Sequence, residues 1–109
     1  MWIFAKAGFL SIVQHRDQPD MLMVRARVKG DIEHFFPSAK VIRMEDADYL
    51  YRTILPRNTV AAVIAKTVDA INYCGAHGTS FKSIVDKRRA PFYLNVWDTM
   101  AEMQDRLNV

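Results

Sequence analysis

Four arginines are spaced so that their side chains could act together. Arg25 and Arg27 alternate along "MLMVRARVKG", Arg43 lies in "AKVIRME" and Arg52 in "YLYRTIL". Each stretch reads as a β-strand, in which residues two apart share a face. A guanidinium is a planar fork that holds phosphate bidentately. A face carrying Arg25, Arg27, Arg43 and Arg52 would therefore suit a nucleic-acid strand or a phosphorylated small molecule. The competing reading is a solvated, charge-paired face, because Glu33, Glu45, Asp46 and Asp48 are available as partners.

A second basic cluster lies in "KSIVDKRR". Lys82, Lys87, Arg88 and Arg89 stand against Asp86, which leaves +3, the net charge of the whole chain. The remainder is electrically balanced, which argues against a generally basic, DNA-coating protein and for one local patch. Phe92 and Tyr93 follow Pro91. Cations beside aromatics are what single-stranded nucleic acid needs, since charge tracks the backbone while rings stack bases. The competing reading places Lys87, Arg88 and Arg89 near a helix C-terminus, where the dipole favours cations. The aromatic pattern of an RRM and a KH-type glycine-rich loop are both absent.

"CGAHG" places Cys74 close to His77. Zinc normally needs four ligands in paired spacing, and the chain has one cysteine. His15 and His34 are distant and unpatterned. No orienting third group or oxyanion hole is implied for a thiol nucleophile. A glycine-rich loop that ends a helix explains this segment better. There is no P-loop, dinucleotide-type glycine pattern, H-E-x-x-H or G-x-S-x-G. No catalytic residue, metal or cofactor is expected.

The elements that must position these residues follow from periodicity. The first predicted strand is Trp2–Arg16, with a bulge or bend at Gly8. "DQPD" is turn chemistry, and Met21–Val28 completes a hairpin. Its alternation puts Leu22, Val24, Ala26 and Val28 on one face, with Val24, Ala26 and Val28 expected in the core. Met23, Arg25, Arg27 and Lys29 take the other. Asp31 is expected to cap a short helix that Pro37 stops. Two more strands follow, Ala39–Glu45 and Tyr49–Leu55. In the latter, either Tyr49 and Tyr51 line the core or they point outward and Arg52 is buried. Asn58 is the expected cap of a helix over 59–73. A short helical piece, "SFKSIVDKRRA", carries Phe81, Ile84 and Val85 on one side. A last helix begins near Pro91, with Tyr93, Val96, Trp97, Met100, Met103 and Leu107 along one stripe.

The expected fold is α+β and two-layered: a four-stranded antiparallel sheet in ββα-ββα order, helices on one face and a helical C-terminal third. At 109 residues, half hydrophobic and a quarter charged, the chain fits a single domain spanning 1–109. One cysteine allows no intrachain disulfide and suits a reducing, cytoplasmic setting. The N-terminus lacks the basic start of a signal peptide, and no apolar run is long enough to span a membrane.

Five segments resemble elements shared by a group of small bacterial proteins of about this length. They are Trp2–Val13, Val24–Arg27 ("VRAR"), Asp48–Arg52 ("DYLYR"), Ser80–Val85 ("SFKSIV") and Val96–Met100. The resemblance implies a shared fold and transfers no activity.

The leading expectation is a non-enzymatic binding protein for an anionic ligand. The other is a protein–protein module, such as an adaptor or a phage-type inhibitor of a host defence complex, an idea resting on size and missing motifs. The methionine-bearing stripe could serve such a partner. A homodimer would cover an open sheet face or an unpaired edge strand.

Overall fold

A computed structural model describes residues 1–72, 78–79, 84 and 86–109. The chain is α+β and divides into two compact units, Met1–Ile71 and Asn72–Val109. Cys74, His77, Phe81, Lys82 and Val85 lie outside the described residues.

The first unit is built on a five-stranded antiparallel sheet. Its strands are β1 (Trp2–Ala5), β2 (Gly8–Gln14), β3 (Met21–Ala26), β4 (Ile42–Arg43) and β5 (Tyr51–Pro56), in the spatial order β1-β2-β3-β5-β4. The element order begins with three strands, so the four-stranded ββα-ββα expectation is corrected. The cause is a turn at Lys6–Ala7, which folds the predicted long first strand back on itself. Ala5 pairs with Gly8 and Trp2 with Ser11. Gly8 is thus the first residue of β2 and not a bulge. A Cβ at Gly8 would stand 2.6 Å from Asp31 Cγ, so only glycine lets the turn approach that side chain.

Two helices, α1 (Asp31–Phe35) and α2 (Arg57–Asp69), cover one face of the sheet. The core joins Leu10 and Ile12 of β2, Val24 and Ala26 of β3, Ile32 and Phe35 of α1, Phe36, and Val60 of α2. Alternation therefore works for Val24 and Ala26. Val28 lies beyond β3 and is half exposed, because the chain has already turned toward α1.

Neither expected helix cap is used. Gly30, at φ 95°, precedes α1, and Asp31 is its first residue. The buried Asp31 carboxylate instead accepts the backbone N–H of Phe9 at 3.0 Å, tying α1 to β2. His34 Nδ1 contacts Ala7 O at 2.8 Å, which fixes the same turn. α2 starts at Arg57, directly after Pro56, so Asn58 falls inside the helix. Arg57 N–H donates to Asp20 O at 2.8 Å, and its guanidinium donates to Pro19 O and to Gln14 Oε1. The β2–β3 turn is thereby latched to the start of α2.

In the second unit, α3 spans Ala90–Leu107, with Pro91 in its first turn. Pro91 fits there because the first helical N–H groups have no intrahelical partner to lose. Asp86 precedes it and orders the turn. Its carboxylate accepts the Arg88 N–H at 2.9 Å and the Arg88 Nε–H at 3.2 Å. No helix among the described residues is long and apolar enough to cross a membrane.

Candidate functional site

The sheet face opposite α1 and α2 carries the arginine cluster. Ser11 of β2, Arg25 of β3 and Arg52 of β5 form one row across the strands, with Ser11 opposite Arg25 and Arg25 opposite Arg52. Arg25 is on this face because Val24 and Ala26, its neighbours, are in the core on the other. Its Nη2 donates to Ser11 Oγ at 2.7 Å. Arg27, one step past the end of β3, is exposed, and its Nη1 donates to the Asp48 carbonyl at 2.7 Å.

Tyr49 organises these cations. It precedes β5 and folds over the arginine face, where it is buried. The Arg25 guanidinium carbon lies 4.5 Å from its ring centroid and that of Arg27 lies 4.1 Å away. A ring this close attracts a cation through its negative π-face. Arg52 donates to the Tyr49 carbonyl at 3.3 Å, contacts Met23 Sδ at 3.6 Å and stands 3.8 Å from the Asp48 carboxylate. The Nε atoms of Arg25 and Arg52 are buried, without a hydrogen-bond partner among the described residues. The cluster therefore gathers three guanidiniums around Tyr49, of which Arg52 approaches the Asp48 carboxylate and Arg27 the Asp48 carbonyl.

Tyr51, two residues later, is half-buried and packs against the helix-side core. The two tyrosines thus serve opposite faces, which resolves the ambiguity in this segment. Arg52 keeps 19% of its side-chain surface exposed.

Aromatic side chains extend the arginine face toward β1. Phe4 and Phe9 are cross-strand partners whose rings stack at 4.4 Å and 13°. Trp2 meets Phe9 edge-on at 5.9 Å, and Phe9 approaches Tyr49 at 6.4 Å. Trp2 is 66% exposed. Sequence reasoning missed this row. An uninterrupted first strand would send Phe4 and Phe9 to opposite faces, since their numbers differ by an odd step. The Lys6–Ala7 turn brings them to the same one.

Arg43 is not part of the cluster, which corrects the four-arginine face. It pairs across the strands with Tyr51, so it shares the helix side of the sheet. Its guanidinium lies 5.8 Å from the Tyr51 ring and 2.7 Å from Glu45. With Lys29, Glu33, Val41 and Tyr51 it lines a separate open cleft of about 260 Å³. Lys29 is accordingly on the other side from Arg25.

The second basic cluster is placed differently from its competing reading. Lys87, Arg88 and Arg89 form the turn at the N-terminus of α3, where a helix dipole disfavours cations. Arg88 is engaged by Asp86. The side-chain hydrogen bond from Arg88, then its backbone N–H, hold the Asp86 carboxyl below the usual carboxylate range. The same carboxylate raises the Arg88 guanidinium above its ordinary value. Arg89 donates to the hydroxyl of Tyr93 at 3.4 Å. Among the described residues, no group of histidines, cysteines and carboxylates is disposed to hold a metal ion.

No family model, curated protein or solved structure matches the chain.

Proposed function

We propose that the arginine-bearing sheet face binds single-stranded nucleic acid, without catalysis. The observation that carries this reading is the convergence of Arg25, Arg27 and Arg52 around Tyr49, on the face that also bears Trp2, Phe4 and Phe9. Single strands are held by cations that follow the phosphates and by rings on which bases stack. Arg27 and Trp2 are the exposed members of the two sets. They would offer phosphate contact and base stacking respectively. Arg25 and Arg52 raise the local potential from below. A sheet face suits an extended strand better than a small phosphorylated molecule, which favours a concave, enclosing pocket. Membership of the small bacterial group described above is proposed on the five quoted segments alone.

Tryptophan emission tests the stacking half directly. In a Trp97→Phe background Trp2 is the remaining indole. Titration with a short oligothymidine at low salt is expected to quench it. Unchanged emission alongside no measurable binding would overturn the proposal. Quenching equally strong with a mononucleotide would move the reading to a phosphorylated small ligand.

A further inference from the structure

We infer that the cleft on the helix side of the sheet binds a free amino acid, held as a zwitterion between Glu33 and the pair Lys29 and Arg43. This site is independent of the arginine face and of its ligand. Three parts of the chain build it. Lys29 lies in the β3–α1 connection, just before Gly30, whose φ of 95° turns the backbone into α1. Glu33 is on α1 itself. Val41 precedes β4, Arg43 ends it, and Tyr51 opens β5 opposite Arg43. Together these five residues line about 260 Å³. Drug-sized ligands occupy pockets of about 300–1,000 Å³, so the occupant is small.

The charges in this cleft are not spent on one another. Lys29 and Glu33 both line it, with no ion pair between them. Glu33 Oε1 is buried and has no hydrogen-bond partner among the described residues. A buried carboxylate oxygen without a donor is costly, and native folds keep few of them. A ligand ammonium supplies that donor as a charge-assisted hydrogen bond. Tyr51 lines the same cleft, and an aromatic ring adds a second attraction for ammonium. The other end of the zwitterion meets cations. Arg43 gives its Nε to Glu45 at 2.7 Å, which leaves its two terminal nitrogens for a carboxylate. Lys29 brings a second positive charge. An anion alone would leave Glu33 without a donor and facing a like charge. An amine alone would face Lys29 and Arg43. A ligand carrying both groups satisfies both ends, and Val41 offers its carbon chain an apolar wall. A phosphate fits less well, because it sets more negative charge beside Glu33 and brings no ammonium.

Backbone amide NMR shifts of the full chain test the site, with each of the common free amino acids added in turn to millimolar concentration. At least one is expected to shift Lys29, Glu33, Arg43 and Tyr51 saturably. Propionate, which has the carboxylate alone, and propylamine, which has the ammonium alone, should each bind at least about tenfold more weakly. Glu33→Gln keeps the shape and removes the charge. It should weaken the amino acid by about tenfold while leaving propionate no weaker than before. Lys29→Met, at an exposed position, should also weaken the amino acid. The absence of a saturable shift with every amino acid overturns the inference. Propionate binding as tightly as the amino acid overturns it too, as does a Glu33→Gln variant that binds the amino acid like the wild type.

Discussion

Tyr49 carries no charge, yet it arranges the cations around it. Two guanidiniums lie over its ring and a third reaches its carbonyl. Replacing it with leucine keeps apolar bulk but removes the π-face and the fixed spacing. Tyr49→Leu is expected to cost about 1–2 kcal/mol in urea unfolding, from two lost cation–π contacts. It should also weaken oligonucleotide binding, because the arginines lose their common support. Asp86 offers a prediction in pH. Its carboxyl is held low in the folded chain, so whatever it contributes is fully present above the ordinary aspartate range. That contribution is lost as pH falls through the lowered value. The Arg88 amide resonance should therefore titrate with a midpoint below the ordinary value of about 3.9. In Asp86→Asn that titration should vanish. These residue roles were only partly legible in the sequence. Arg25 was placed correctly by alternation, because Val24 and Ala26 are apolar neighbours on either side. Arg43 was misplaced because β4 is two residues long, too short for alternation to fix a face without knowing its partner.

The elements were legible where one face is buried and obscure where the chain turns without the usual signals. β3 shows the first case: its alternating residues separate into core and arginine face. The Lys6–Ala7 turn shows the second. It has no Asn-Gly or Asp-Gly pair, and its glycine follows the loop instead of sitting within it. That glycine is nevertheless diagnostic once Asp31 is seen beside it. Gly8→Ala is expected to destabilise the fold by about 2 kcal/mol, since the added methyl meets the buried Asp31 side chain. Thermal unfolding would measure it, and an unchanged midpoint would mean that α1 can shift away from β2. The helix starts were misread for a related reason. Asp31 and Asn58 are good capping residues in isolation, but Asp31 was recruited by the Phe9 N–H and α2 grew straight out of β5. The stripe of α3 was legible, together with its start at Pro91. The burial of Tyr93 and the exposure of Trp97, Met100, Met103 and Leu107 were not, because periodicity gives a direction on a helix without saying what lies there.

For the molecule as a whole, the charge balance took its meaning from placement. The +3 net charge can be assigned entirely to Lys82–Arg89. The arginine face gathers positive charge in a part of the chain that is neutral overall, by drawing Arg25, Arg27 and Arg52 together while Glu45 goes to Arg43. A local potential of this kind steers a polyanion even when the rest of the sequence is balanced. The binding it supports must then be salt-dependent, since each phosphate neutralised releases counterion. The measurement that tests this most directly is fluorescence anisotropy of a labelled single-stranded oligonucleotide over a range of salt. The wild type is compared with the Arg25→Ala, Arg27→Ala double variant. The wild type is expected to show a negative log–log salt slope, of about −0.7 for each phosphate neutralised. The double variant should bind about tenfold more weakly, with a flatter slope. Equal affinity and equal slope in the two proteins would contradict the account.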